Sequence, residues 1–169
     1  AQKNGMDVLL AVHLTDKDFF DFSSEKRSGG GKVRDQRPLS HLNLSSYEKH
    51  FRRIVKSLDE MQVSIPMIEI GNEINWAGYN GDIPTTKEGQ IFHTANELGP
   101  YKDQIYNGFR RYESILKISK QVLMDSKFQK NTKIISAGLM SSGSVEPLTP
   151  WFKRSGGTML SLPLVNRIY

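Results

Sequence analysis

The stretch Ile68-Glu69-Ile70-Gly71-Asn72-Glu73-Ile74-Asn75-Trp76 concentrates the chemistry-bearing residues of this chain. An apolar, strand-compatible run ends at Gly71, and an amide and a carboxylate follow side by side, with a tryptophan just beyond. A carboxylate delivered at the end of a buried strand is placed to give and take protons as a general acid and base. A neighbouring Asn hydrogen-bonds a sugar hydroxyl without competing for protons, and the apolar body of Trp stacks on a pyranose face. These are the parts that glycoside hydrolysis needs. The same residues also fit a plainer role, with Asn72 and Glu73 capping the next loop and Trp76 packing over a rim. Spacing alone does not separate the two.

The elements that must position these residues follow from hydrophobic periodicity. Met6 to Leu14 is a short, nearly continuous apolar run, as expected of a parallel strand covered on both faces. A long polar loop with the Gly29-Gly30-Gly31 run follows. Ser45-Ser46-Tyr47-Glu48 has the form of a capping box, and Phe51, Ile54, Val55, Leu58 and Met61 then recur at helical spacing. Met67 to Gly71 is the second strand. After another long loop, Ile105, Phe109, Tyr112, Ile115, Leu116, Ser119, Val122 and Leu123 mark a second amphipathic helix. Lys133 to Leu139 reads as a third strand, with a shorter helix expected near Glu146-Pro147.

Composition narrows the function classes. The chain has 169 residues, 37% of them apolar, enough for one domain spanning 1–169. It has no cysteine, so thiol chemistry, disulfides and cysteine-ligated metals are excluded. No run approaches a membrane span, and no membrane partner is expected. The net charge of +5 raises the question of nucleic acid. However, Lys49, Arg52, Arg53, Lys56, Arg110, Arg111, Lys117 and Lys120 fall between the apolar positions of the two helices, where solvated charges belong, and no stacking aromatics accompany them. No nucleic-acid partner is expected.

Strands alternating with helices imply a parallel sheet with right-handed crossovers. A glycine-rich phosphate turn directly after a strand is missing, while the polar residues cluster after strand ends in long loops, as they do around a TIM-barrel active site. The expected fold is therefore α/β, a partial TIM barrel. The loops after His13 and Asn75, carrying Phe19, Phe20 and Tyr79, are expected to wall an open cleft.

The segment Ile68 to Asn75, spelled IEIGNEIN, resembles the fourth-strand signature of the retaining glycoside hydrolases of clan A, where Asn-Glu ends the strand. Gly before Asn-Glu is similar to the β-galactanase and arabinofuranosidase branches. The resemblance implies that Glu73 is the acid/base, that Asn72 binds the sugar 2-hydroxyl, and that His13 lines the site at the end of a third strand. Trp76, Asn75 and Tyr79 would join them in binding an oligo- or polysaccharide with β linkages. No cofactor and no metal are expected, and the resemblance implies a segment of roughly the third to fifth βα units. A secreted or extracellular setting goes with it, as does association with the remainder of the same barrel or with itself. The alternative is a carbohydrate-binding or scaffold protein of the same architecture without catalysis.

The departures bear on activity. Clan A enzymes carry their nucleophile on the seventh strand, and Leu160 to Tyr169 reads as the approach to a sixth, so this chain by itself is expected to be inactive. Glu69 lies four residues before Glu73, which at ~3.3 Å per residue puts the pair roughly 13 Å apart. A retaining pair needs about 5–5.5 Å. Glu69 is better read as an interior carboxylate needing a polar partner. Asp16 and Glu146 are poor second carboxylates, and His13, Asp16 and His93 lack the spacing of a metal site.

Overall fold

The computed structural model describes residues 7–14, 17–20, 37–86, 89–141 and 158–168. Its strands are β1 (Leu9–Val12), β2 (Met67–Ile70), β3 (Gln90–Phe92), β4 (Lys133–Ser136) and β5 (Thr158–Leu160). Its α-helices are α1 (Leu44–Glu60), α2 (Lys102–Asp125) and α3 (Leu162–Ile168). A three-stranded parallel sheet has the order β1-β2-β4, and β3 and β5 form a separate two-stranded parallel sheet. Among the described residues no helix is long and apolar enough to cross a membrane.

This small mixed α/β arrangement corrects the expectation of a partial TIM barrel with third to fifth βα units. The strand after β4 does not extend the first sheet. Ala77 N–H donates to Thr158 C=O and Leu160 N–H to Asn75 C=O, while the other edge of β5 pairs with β3. With both edges of β5 filled, the first sheet ends at β4. The loop after β2 thus contains a strand, β3, that sequence periodicity does not reveal, because three residues are too few to show a period.

Among the described residues, helices cover one face of the first sheet. Val12, Ile68 and Ile70 are buried in the same hydrophobic cluster as Phe51 and Val55 of α1 and Phe109, Ile115 and Val122 of α2. On the opposite face, Leu9 keeps 47% of its surface exposed and Ile135 37%, and Ala11 is exposed beside them. The continuous apolar run that suggested burial on both faces is met by helices on one.

Local details differ from expectation for identifiable reasons. The N-cap of α1 is Asn43, whose side chain accepts from Ser46 N–H at 2.9 Å. Glu48 does not reach back as a capping box requires; it pairs forward with Arg52. Met61, expected in the apolar stripe, is the C-cap and is exposed. Phe19 and Phe20, expected in cleft walls, are buried in the main core, with Phe19 against Tyr47. Between the helices, Tyr47 and Ser119 share a 2.6 Å hydrogen bond. Because the Ser119 hydroxyl proton already goes to Ile115 C=O, Tyr47 is the donor. Burial pushes the Tyr47 phenol well above its usual pKa, the Ser119 bond opposing, so it keeps that proton. The Gly29 to Gly31 run and the helix expected near Glu146 lie outside the described residues.

The loop after β2 is anchored by a buried carboxylate. Asp82 accepts from the backbone N–H and hydroxyl of Ser40 and from Gln104 Nε2 of α2. Gly108 permits this approach, since a Cβ there would collide with the Asp82 carboxylate. Burial pushes the Asp82 carboxyl upward, with the Ser40 and Gln104 bonds opposing. Asp82→Ala should lower stability by about 1–3 kcal/mol, because buried donors lose their acceptor. A raised folded pKa contributes stability that is complete below the unfolded value and is lost as pH rises through the folded one. Urea titrations of both proteins should therefore show a gap that is widest in acid and narrows as pH rises.

Candidate functional site

The ladder between β2 and β4 is interrupted where the catalytic candidates begin. Lys133 N–H donates to Pro66 C=O at the start of the pair, and the same pattern, continued, would send Ala137 N–H to Ile70 C=O. Tyr112 of α2 occupies that rung instead. Its hydroxyl donates to Ile70 C=O and accepts from Ala137 N–H, both at 2.7 Å. On the other side, Gly71 N–H still bonds Val12 C=O at 2.8 Å, so β2 stays attached to β1 while it parts from β4.

Beyond this wedge the chain turns sharply. Gly71 has a φ of +86°, and a Cβ there would stand 3.2 Å from Ala137 Cβ and 3.4 Å from the Tyr112 ring. Glycine serves both needs. Two residues on, Glu73 takes a φ of +42°, the left-handed region that side-chain-bearing residues seldom adopt. Its N–H donates to Gly138 C=O at 2.7 Å, which rejoins the turn to the segment after β4. Gly138 N–H in turn donates to the Glu69 carboxylate at 2.9 Å, although Glu69 lies level with exposed Ala11 and Ile135 rather than in the interior expected for it. Glu73 and Asn72 are both half-buried.

A run of rings borders this turn. His13, exposed just past β1, lies with its centroid 6.3 Å from Tyr79 at an interplanar angle of 28°. Tyr79 meets Trp76 edge-on at 5.6 Å. Trp76 itself keeps only 5% of its surface, is bridged to Met159 of β5 and packs in a small cluster with it, so its indole is part of the wall rather than an offered platform. His13 and Tyr79 are the rings that remain accessible.

Asn75 departs from the expected role of a sugar-binding residue. It is fully buried, donates from Nδ2 to Met140 C=O and Leu160 C=O, and accepts Met140 N–H at Oδ1. The amide that reads as a ligand contact in sequence ties the two sheets together. Asn80 is similar, donating to Ile74 C=O and accepting Asp82 N–H. His93 is exposed at the end of β3, with its N–H on Glu97, while Asp16 and Glu146 lie outside the described residues. Among the described residues no group of His, Asp and Glu forms a candidate metal site. Open grooves on the helical side, one lined by Arg52, Lys56, Asp59 and Asp125 and another by Asp18, His50 and Arg53, include none of the turn residues.

Tyr112 and Gly138 escaped the sequence reading. Tyr112 was visible only as one apolar position of a helix stripe, although a buried phenol always raises the question of where its hydroxyl goes. No family model, no curated protein and no solved structure matches the chain, so the likeness to clan A rests on the IEIGNEIN residues themselves.

Burial pushes the Tyr112 phenol up to about 12, opposed by the Ala137 bond and assisted by the Glu69 charge. Tyr112→Phe should cost about 1–3 kcal/mol, because it leaves the buried Ile70 C=O and Ala137 N–H without their bridge. The folded value lies above the ordinary 10.0, so this stabilisation is complete below pH 10 and fades as pH rises through about 12. Unfolding monitored from pH 8 upward should show the two proteins converging in alkali.

Proposed function

We propose that this chain carries the proton-transfer half of a glycoside-cleaving site acting on a β-linked oligo- or polysaccharide. The observation that supports it best is Glu73, a half-buried carboxylate residue in the left-handed region at the end of a parallel strand, with its N–H fixed on Gly138. Glu73 would protonate the leaving oxygen as the glycosidic C–O bond breaks, then take a proton from the water that completes the reaction. Asn72 would hydrogen-bond a ring hydroxyl, and the accessible rings of His13 and Tyr79 would pack on the sugar. The buried Asn75 and Trp76 would shape the loop beneath. The nucleophile of a retaining reaction is a second carboxylate, and Glu73 takes only the acid/base role.

The second reading, saccharide binding without catalysis, draws on the accessible His13 and Tyr79 rings, which need no acid to hold a sugar. Glu73→Gln in the complete protein separates the two. On the first reading it folds normally and loses about 10²–10⁴-fold in hydrolysis of glycosides with poor leaving groups, which depend most on the acid. Aryl glycosides with good leaving groups lose much less in the first step. Equal loss with both substrates argues against Glu73 as the acid. Saccharide binding by calorimetry, unchanged in the variant and with no turnover by either protein, would favour the second reading.

A further inference from the structure

Glu69 sits in the middle of β2, level with Ala11 of β1 and Ile135 of β4 on the sheet face away from α1 and α2. The Glu69 side chain is half-buried there. It takes a fixed bond, and the donor is Gly138 N–H at 2.9 Å. Gly138 lies three residues beyond the register partner Ile135, roughly 10 Å further along the strand direction. Glu69 therefore leans toward the end of the sheet where Glu73 turns. The separation of roughly 13 Å suggested by strand spacing is bridged through one residue, because Gly138 receives Glu73 N–H on its carbonyl while giving its own N–H to Glu69.

That sharing has a mechanical meaning. Gly138 follows the point where Tyr112 has replaced the β2–β4 rung, so the regular ladder no longer holds it. As a glycine it has more backbone freedom than any other residue. The Glu69 side-chain oxygen that accepts its N–H supplies an anchor that the ladder does not.

We propose that Glu69 is a positioning residue for Glu73, acting through Gly138. The inference rests on the acid/base reading of Glu73. Glu69 keeps the Gly138 carbonyl aimed at Glu73 N–H, and so keeps the Glu73 backbone in its left-handed turn. The work is done by an acceptor oxygen rather than by a charge, and a glutamine can supply that oxygen.

The test compares Glu69→Ala with Glu69→Gln in the complete protein, by amide hydrogen exchange and by steady-state hydrolysis. In Glu69→Ala, exchange at Glu73 N–H should speed up at least tenfold, while amides in the middle of α2 stay unchanged. Hydrolysis should lose at least tenfold in kcat with KM within threefold, and with the pH profile unmoved. Glu69→Gln should restore both measurements to within threefold of the natural protein. Unchanged Glu73 exchange in Glu69→Ala would overturn the proposal. So would a Glu69→Gln protein as impaired as the Ala variant, since the charge would then matter. If Glu73→Gln leaves hydrolysis intact, the acid/base reading fails by itself, and the exchange data still decide whether Glu69 holds the turn.

Discussion

The Tyr112 hydroxyl, standing in the rung between Ile70 and Ala137, is the interaction on which the end of the sheet depends. A parallel ladder left alone would continue and keep β2 and β4 together. By accepting from one strand and donating to the other, the phenol satisfies both backbone groups while forcing them apart. The phenol does this with donor and acceptor on one atom, delivered from a helix in the core beneath the sheet. α2 supplies it, with Ile105, Phe109, Ile115 and Val122 fixing the helix in the core. The sharp turn at Gly71, the left-handed Glu73 and the exposed Gly138 all lie just beyond the split.

A second set of buried polar groups holds the long loop that follows. Asn75, Asn80 and Asp82 are each fully buried; Asn75 and Asp82 bond distant parts of the chain, and Asn80 bonds Ile74 and Asp82 within the loop. Buried polar groups are costly when unpaired and specific when paired. The loop is therefore a folded layer that joins the two sheets, not a flexible wall. That layer keeps Trp76 in place and brings Tyr79 against His13.

The strands and helices with a clear period were legible: the buried stripe of α2 matches its spacing at Ile105, Phe109, Tyr112, Ile115, Ser119, Val122 and Leu123. The architecture was not. Strand-helix alternation with right-handed crossovers is shared by open sheets and barrels, and closure depends on which edge the next strand finds. Here the edges of β5 are taken by β3 and by the loop after β2, a fact about tertiary hydrogen bonds that no local pattern carries. Candidate site residues divide the same way. Asn72 and Glu73 sit in the turn at the strand end that their spacing suggested, but Asn75 looks identical to a ligand-binding amide until its partners are known. Phe19 and Phe20 look like loop aromatics until the core closes over them.

Backbone strain supplies the last argument about the turn. Apart from glycines, Gln62 and Glu73 are the described residues with positive φ. Gln62 is explained by helix termination: Val63 N–H bonds Leu58 C=O and Gln62 N–H bonds Asp59 C=O, the paired bonds of a Schellman motif at the end of α1. Glu73 follows a strand, and no helix end requires it. Holding a side-chain-bearing residue there costs on the order of 1–3 kcal/mol, a cost that glycine at the same place would avoid. A carboxylate-bearing residue thus occupies a position that favours glycine, and its N–H bond to Gly138 C=O holds it there.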